Sequence, residues 1–208
     1  FGHSSLREYC RRELPEMQEL ELHKQAAECF KNLIDKLPDK QYAFLSLAEH
    51  AFYGEDYQTA FDLNFELGKG VYAHYDYPAA LELMKRAKIS AEQLHDRDDL
   101  AGAYHHLSMV LQALYRYPEA LDNYTRALVI SRELGNREGE AGTLHQIGMV
   151  HQMTHRYGEA LDYYNQSLAI KRELGNREGE AGTLHQIGTV YETMHQYDVA
   201  LDHYNQAL

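Results

Sequence analysis

Histidine side chains offer the most obvious chemistry in this sequence, because 13 of its 208 residues are histidines. Three of them, His105, His145 and His185, follow one another at intervals of 40 residues. An imidazole ring can bind a metal ion, transfer a proton or form hydrogen bonds to a ligand. The regular spacing indicates that the three rings occupy the same position in three copies of one unit.

Glycine, methionine and glutamine accompany these histidines at helical spacing. A glycine lies three residues before each histidine, methionine or threonine four residues after it, and glutamine or glutamate seven residues after it. Such intervals place the residues on one face of a helix. Glycine leaves room for a partner's backbone, methionine adapts its shape, and histidine and glutamine supply donors and acceptors. We predict that a protein or peptide segment binds this surface, the histidine stripe: Gly102, His105, Met109, Gln112, Gly142, His145, Met149, Gln152, Gly182, His185, Thr189 and Glu192.

The stripe also has a purely structural interpretation. Recent duplication of one unit copies all of its residues, so the repeated histidines can be ordinary solvated positions without a ligand. The sequence leaves both interpretations open.

His151 and His155 are the candidate metal ligands. Two histidines four residues apart on a helix can bind zinc or nickel. However, no set of cysteines or carboxylates completes a coordination shell, and Leu111 and Tyr191 occupy the positions equivalent to His151. Histidines in successive stacked units lie too far apart to share one ion, whose bonds are about 2 Å long. We therefore predict a packing role for His151, no metal site and no cofactor.

Sequence motifs for catalysis are absent. Gly68-Lys69 resembles the end of a phosphate-binding loop, but Gly70 follows it and Leu63 stands where the first glycine is required. No G-x-S-x-G, HExxH or CxxC motif occurs. We predict that the chain is not an enzyme.

Charge and hydropathy restrict the partners and the compartment. The formal net charge is −12 and no long segment is basic, which disfavours binding to nucleic-acid phosphates. No apolar run reaches membrane-spanning length, and no signal-peptide pattern occurs. We predict a cytoplasmic protein that binds neither nucleic acid nor membrane. Cys10 and Cys29 are expected to be buried free thiols, with a disulfide as the alternative.

A 40-residue period organises the chain from about Phe61 onward. The 17-residue segment 132–148 recurs letter for letter at 172–188. Two helices in each unit can approach closely only where a small residue of one faces a bulky residue of the other. Three columns have these properties: Ala80, Ala120, Ala160 and Ala200; Gly68, Ser108, Gly148 and Gly188; Tyr77, Tyr117, Tyr157 and Tyr197. The period therefore predicts a stacked helical array.

The pattern Leu144-x2-Ile147-Gly148…Ala160-x3-Tyr164-x2-Ser167 resembles the tetratricopeptide repeat in its 40-residue form. This resemblance implies an all-α fold, an α-solenoid of helical hairpins wound into a right-handed superhelix. It also implies that the histidine stripe lies on the concave face. The stripe lacks the lysine and asparagine pattern with which chaperone-binding members hold a C-terminal carboxylate, so that class of partner is not expected.

The end of each unit departs from the family pattern. Its usual late proline is missing, and Arg132 and Arg172 stand in that place. We therefore predict that the second helices end at glycines that suit the left-handed conformation, followed by asparagines that cap the next helices. These residues are Gly135 and Gly175, then Asn136 and Asn176.

Helix signals cover the chain from its first residues. The predicted helices are 1–14, 15–38, 40–53 and 57–73, then one capped by Asp76, then 100–114 with 117–134, 138–154 with 158–174, and 178–194 with 197–208. We predict a divergent helical segment at 1–56 and an array at 57–208, with units at about 61–100, 101–140, 141–180 and, truncated, 181–208. Helix 197–208 has no following unit to cover it, which predicts end-to-end self-association.

The first forty residues carry a second resemblance. Phe1-x-His3-x-x-Leu6-Arg7-Glu8-Tyr9, followed by Leu22-His23-x-x-Ala26-Ala27-x-x-Phe30, is similar to the junction between the winged-helix segment and the helical-repeat sensor of a STAND-class signal-transduction ATPase. This resemblance implies that the chain is the sensor or autoinhibitory arm of such a protein and that the nucleotide site lies upstream. The alternatives are an unrelated helical N-terminal segment on a stand-alone scaffold or adaptor, and a metal-handling accessory protein.

Overall fold

The structure is a computed structural model that describes residues 16–33 and 40–208. Within these residues the chain forms ten α-helices and no β-strand. They are α1 (Glu16–Leu33), α2 (Lys40–Tyr53), α3 (Tyr57–Ala73), α4 (Tyr77–Leu94), α5 (Arg97–Ala113), α6 (Tyr117–Leu134), α7 (Arg137–Met153), α8 (Tyr157–Glu173), α9 (Arg177–Thr193) and α10 (Tyr197–Gln206). The all-α prediction is confirmed.

The helix bounds follow the prediction closely. The helices at 40–53 and 57–73 have the predicted ends, and the first helix of each later pair begins one to three residues earlier than predicted. The predicted helix at 1–14 and the predicted end of the next helix at Pro38 lie outside the described residues.

The chain divides into two compact units, one ending at Asp96 and the other running from Arg97 to Leu208. In the first unit, α1 packs against α2, α2 against α3, and α3 against α4. In the second, α5 and α6, α7 and α8, and α9 and α10 form hairpins that pack in sequence. Among the first helices of these hairpins, α7 also contacts α5 and α9. The division between a divergent N-terminal segment at 1–56 and a repeat array at 57–208 stays a prediction.

A left-handed residue follows each helix from α2 to α9 at intervals of 20 residues. Gly135 and Gly175 have φ of 69° and 67°. Gly135 ends α6, and Gly175 lies just beyond the end of α8, as predicted. At the other turns a residue other than glycine adopts this left-handed backbone conformation, which costs roughly 1–2 kcal/mol in each case. These residues are Glu55, Tyr75, His95, Tyr115, His155 and His195.

Asparagine and aspartate side chains cap the helices at the predicted places. Asn136 accepts a hydrogen bond from the backbone N–H of Gly139 at 2.8 Å, and Asn176 accepts one from Gly179 at the same distance. Asp56 and Asp76 make the equivalent bonds in the first unit. Each cap satisfies a backbone donor that has no partner within its own helix.

Small residues allow close contact within each hairpin. Tyr164 on α8 is fully buried against Gly148 on α7, where an added Cβ would lie 2.7 Å from its ring. The alanines at 80, 120 and 160 are also fully buried. Gly148 and Tyr164, which both belong to the predicted repeat pattern, are therefore in contact.

Arginine–carboxylate pairs connect the hairpins of the second unit. The Glu140 carboxylate accepts hydrogen bonds from Arg132 on α6 at 2.8 Å and from Arg137 at 2.6 Å. Arg137 also reaches Glu173 on α8 at 2.6 Å. Burial opposes ionisation of Glu140, but the two arginines outweigh this effect and lower the pKa of its carboxyl group. These bonds hold the start of α7 against the ends of α6 and α8.

Cys29 corrects one prediction, because its thiol is exposed and not buried. The buried side of α1 carries Ala27, and a residue two positions later lies on nearly the opposite side of a helix. Cys10 lies outside the described residues.

Among the residues that the structure describes, no helix has the length and apolar character needed to cross a membrane.

Candidate functional site

The histidine stripe lies on three neighbouring helices of the second unit. Its members occupy α5, α7 and α9, four on each helix. Most of them are half-buried, Gln112 is buried, and Gly182, His185 and Glu192 at the end of the stripe are exposed. The structure thus brings the predicted residues together on adjacent elements.

Two of the three stripe histidines bond to the next hairpin. Nδ1 of His105 lies 3.0 Å from the Thr143 hydroxyl, and Nδ1 of His145 lies 3.2 Å from the Thr183 hydroxyl. The Thr183 hydroxyl already donates to the backbone oxygen of Gly179 at 2.9 Å. The ring of His145 must therefore donate through Nδ1, which leaves its Nε2 as a hydrogen-bond acceptor.

Burial keeps these two rings neutral. It lowers the pKa of His105 to about 4, with a smaller contribution from His106. It lowers the pKa of His145 to about 4 as well, with a smaller contribution from Lys171. At neutral pH both rings are uncharged. They can take part in hydrogen bonds, but they do not titrate in the range that general acid–base catalysis near pH 7 requires.

The glutamines of the stripe are held by tyrosines on the paired helices. The hydroxyl of Tyr124 donates to Oε1 of Gln112 at 3.0 Å, and that of Tyr164 donates to Oε1 of Gln152 at 2.7 Å. Each bond fixes the orientation of the amide, so the NH₂ group of Gln152 is presented as a donor.

Four of the six glycines in α7 and α9 fall into two classes. Gly148 and Gly188 face tyrosine rings at distances that no Cβ could occupy. Gly142 and Gly182, on the stripe, have no atom within 4 Å of the position where a Cβ would lie. Packing thus explains the first class, whereas the second class opens onto free space.

Two cavities lie along the stripe, one on each side of α7. The first, of about 310 Å³, lies between the N-terminal parts of α5 and α7 and is lined by Asp98, His105, Glu138 and Gly142 among others. The second, of about 450 Å³, lies between the C-terminal parts of α7 and α9. It is lined by Met149, Gln152, Met153, His155, Tyr157, Gln186 and Thr193.

Several of these residues were missed from the sequence. Thr143 and Thr183 lie 38 residues beyond the histidines that they contact, and neither was considered as a partner. Asp98 and Glu138 lie one helical turn before Gly102 and Gly142, so the helical spacing of the stripe could have identified them.

The two candidate metal ligands have other contacts. His151 is 7% exposed and its ring stacks on Tyr163 at 5.2 Å. His155 lies beyond the end of α7 in the left-handed turn, so the two rings are not on one helix as the sequence suggested. Its Nδ1 lies 2.8 Å from the Tyr157 hydroxyl. The described residues contain no cluster of three or more side chains that could hold a metal ion.

The next hairpin has the same stack with its residue types exchanged. Tyr191 occupies the position of His151, His203 occupies that of Tyr163, and their rings stack at 5.4 Å. The exchange supports a packing role for His151.

The sequence profile of the tetratricopeptide repeat matches residues 99–173 and 139–208, which together are more than half of the chain. The chain belongs to the tetratricopeptide repeat family. Its hairpins are therefore the units of an α-solenoid, and the family's fold is that of a protein-interaction module.

Solved structures of other proteins have the same fold. BtubC (BKLC) from P. vanneervenii is 21% identical, with a TM-score of 0.60 over 94% of this chain and 73% of its own. A Rap protein complexed with competence and sporulation factor is 16% identical, with a TM-score of 0.67 over 98% of this chain and 57% of its own.

A third similar structure is a signal transduction ATPase with numerous domains, from Pyrococcus horikoshii, that has a tetratricopeptide repeat sensor. It is 18% identical, with a TM-score of 0.64 over 86% of this chain and 30% of its own. At these identities the similarities establish the fold alone. No curated protein sequence matches the chain significantly.

Proposed function

We propose that the chain is a non-catalytic recognition module whose histidine stripe binds a segment of another polypeptide. The open glycines Gly142 and Gly182 carry this proposal. A glycine inside a helix costs roughly 0.5–1 kcal/mol relative to alanine, and here no contact within the chain accounts for that cost. Close approach of a partner's backbone accounts for it.

The surroundings of these glycines suit a polypeptide. Neutral His145 offers an acceptor and Gln152 offers a donor, which match the N–H and C=O groups of a peptide backbone. Met149 and Met153 line the adjoining cavity and can adapt to a side chain. The Rap protein, which has the same fold, is complexed with competence and sporulation factor.

We further propose that the module is the sensor or autoinhibitory arm of a larger, cytoplasmic regulatory ATPase. The N-terminal motif and the similarity to the Pyrococcus horikoshii ATPase support this context. Any nucleotide hydrolysis then resides upstream of the chain. A stand-alone scaffold is the alternative. Residues before Phe1 that encode a phosphate-binding loop and a winged helix are expected for the sensor, and their absence from the full-length protein would favour the scaffold.

Alanine at the open glycines tests the binding surface. We expect Gly142→Ala with Gly182→Ala to raise the free energy of unfolding by roughly 1–2 kcal/mol in total, because alanine favours the helix and meets no atom. The same double variant should bind peptides selected on the wild-type chain at least about tenfold more weakly, since the methyl groups occupy the partner's space. Urea unfolding and fluorescence anisotropy measure the two effects.

Gly148→Ala is the matched control within the same helix. Its Cβ would collide with buried Tyr164, so we expect lower stability and an unchanged peptide-contacting face. Replacing the three stripe histidines would be a poorer test, because His105 and His145 also hold the next hairpin. Equal peptide affinity of the wild type and the Gly142→Ala, Gly182→Ala variant would contradict the proposed surface.

A further inference from the structure

Lys171 is a cation without a counter-ion beside the histidine stripe. The second unit contains nine lysines and arginines, of which seven form ion pairs with carboxylates. The seven are Arg97, Arg116, Arg126, Arg132, Arg137, Arg172 and Arg177. Within the described part of the chain, Arg156 and Lys171 have no such partner. Arg156 is exposed in the turn before α8, whereas Lys171 is half-buried on that helix.

The ammonium group of Lys171 lies where α7, α8 and α9 meet. Its Nζ donates to the Thr183 hydroxyl of α9 at 2.7 Å, and Nδ1 of His145 on α7 lies 3.2 Å from the same oxygen. Because this hydroxyl donates to the backbone oxygen of Gly179, its donor and both of its acceptor positions are used. The ammonium has three N–H donors, and among the described residues Thr183 is its hydrogen-bond partner. Two donors are therefore available to a ligand.

The preceding unit has a serine at the position of Lys171. Ser131 is buried and lines the cavity between α5 and α7 together with Thr143. Thr183, which accepts the hydrogen bond from Lys171, is the equivalent of Thr143 one period later. The repeat therefore places a cation at the interface of α7 and α9 where the interface of α5 and α7 has a small neutral side chain.

No carboxylate of the described residues offsets the burial of this cation. Burial lowers the pKa of Lys171, and no acidic side chain opposes that shift. A half-buried charge lowers the stability of a protein unless an opposite charge compensates it. A serine at the same position avoids this cost, as Ser131 shows. A ligand that supplies a carboxylate compensates the charge of Lys171.

We propose that the segment bound by the histidine stripe carries an aspartate or glutamate whose carboxylate pairs with Lys171. This inference rests on the proposed function. Gly182 precedes Thr183 in α9, and no atom lies within 4 Å of the position of its Cβ, so the backbone of the segment has room to pass there. Because Gly142 is open as well, the backbone continues along the stripe, and we assign the carboxylate to a side chain and not to a chain terminus.

The overall charge of the chain separates this contact from long-range attraction. The formal net charge is −12, so the field of the whole chain repels an acidic peptide. An affinity that increases with a carboxylate in the peptide must therefore come from a local contact.

Selection from a random twelve-residue peptide library displayed on phage tests both proposals. The immobilised 208-residue chain is the bait, and the Gly142→Ala, Gly182→Ala variant is used for counter-selection. Enriched peptides that need the glycines and share an acidic residue support the inference. Enriched peptides that need the glycines but share no acidic residue overturn it and leave the proposed function standing. If no enrichment depends on the glycines, the proposed function fails, and the inference fails with it.

A double-mutant cycle between Lys171 and the selected carboxylate tests the contact directly. Lys171→Ser introduces the residue of the preceding unit, so the fold should be retained. A selected peptide with glutamate should bind this variant about fivefold more weakly than it binds the wild type. The matched peptide with glutamine should bind both proteins equally. Fluorescence anisotropy measures the four affinities, and equal losses for the two peptides would contradict the pair.

Arg156→Gln is the matched control for the loss of one positive charge. Arg156 is exposed and also has no ion-pair partner among the described residues, so its removal changes the net charge as much as Lys171→Ser does. This variant should bind the glutamate peptide as tightly as the wild type does. An equal loss in both variants would show that the charge acts only through the overall field, and would overturn the contact with Lys171.

Amidation of the peptide's C-terminus distinguishes the two sources of a carboxylate. The amidated glutamate peptide should bind as the free peptide does and should lose the same affinity with Lys171→Ser. If the dependence on Lys171 disappears on amidation, a terminal carboxylate occupies the site and the assignment to a side chain is wrong.

Discussion

The imidazole rings of His105 and His145 combine two roles at the scale of the single residue. Each ring faces a tyrosine of its own hairpin, with ring centroids 5.6 Å apart for His105 and Tyr124 and 5.3 Å apart for His145 and Tyr164. Each ring also forms a hydrogen bond with a threonine of the next hairpin. Because the rings are half-buried and neutral, they support the array without adding charge to the stripe. His185, at the end of the stripe, is exposed.

The depressed pKa values predict a loss of stability in mild acid. The pKa of His145 is about 4 in the folded chain and 6.5 in its ordinary state, so the unfolded chain binds the proton more tightly. The contribution of the ring is complete above about pH 6.5 and is lost as the pH falls towards 4. Between pH 7.5 and pH 5 we expect the free energy of unfolding to fall by about 1–2 kcal/mol for this residue.

Urea unfolding at the two pH values measures this effect. The His145→Gln variant should show a smaller loss than the wild type, because glutamine does not titrate. His155→Gln, at an exposed position in a turn, is the matched control and should behave as the wild type does. A pH dependence that is the same in all three proteins would contradict the assignment.

At the scale of the helices, the turns decide where each element ends. In the second unit, asparagines at the N-cap begin helices and glycines in the left-handed conformation end them, and both signals can be recognised in the sequence. We expect Asn176→Ala to lower the free energy of unfolding by about 1 kcal/mol, since it removes the acceptor for the Gly179 N–H. Asn176→Asp keeps an oxygen acceptor and should retain the stability. Thermal unfolding of the two variants checks the cap, and equal melting temperatures would count against it.

The sequence allowed the helices to be predicted because their determinants are local or repeat exactly. Caps, glycines and the 40-residue period act over a few residues or are copied from unit to unit. The candidate site was harder to predict because its determinants are contacts between units. Nothing near His105 indicates that Thr143 will meet it, and Tyr115 gives no local signal for the left-handed turn that it occupies. The sequence shows that histidine and tyrosine exchange positions between the two stacks. This exchange can be interpreted only when the two rings of each stack are known to be in contact.

At the scale of the second unit, similar interactions connect successive hairpins. Arg132 and Arg137 hold Glu140, and Arg172 and Arg177 hold Glu180 one period later. The stability of such an array is approximately a sum of units and the interfaces between neighbours. In the 208-residue chain, the last hairpin has a neighbour on one side only, so its outer face differs from the equivalent faces before it.

The face of α10 therefore predicts weak self-association of the 208-residue chain. Tyr124 and Tyr164 are fully buried, whereas Tyr204 at the equivalent position is only half-buried and Leu201 is 58% exposed. Burial of this apolar area against a second copy stabilises a dimer, but one short helix offers less than the roughly 1,200–2,000 Å² of a stable interface.

We expect sedimentation velocity to show an average mass that rises with concentration. Leu201→Lys should abolish the rise, because a charge at the contact opposes burial. Val129→Lys, which changes an equally apolar residue exposed to 48% on α6, should not. Concentration-independent monomers, or equal effects of the two lysines, would exclude α10 as the contact.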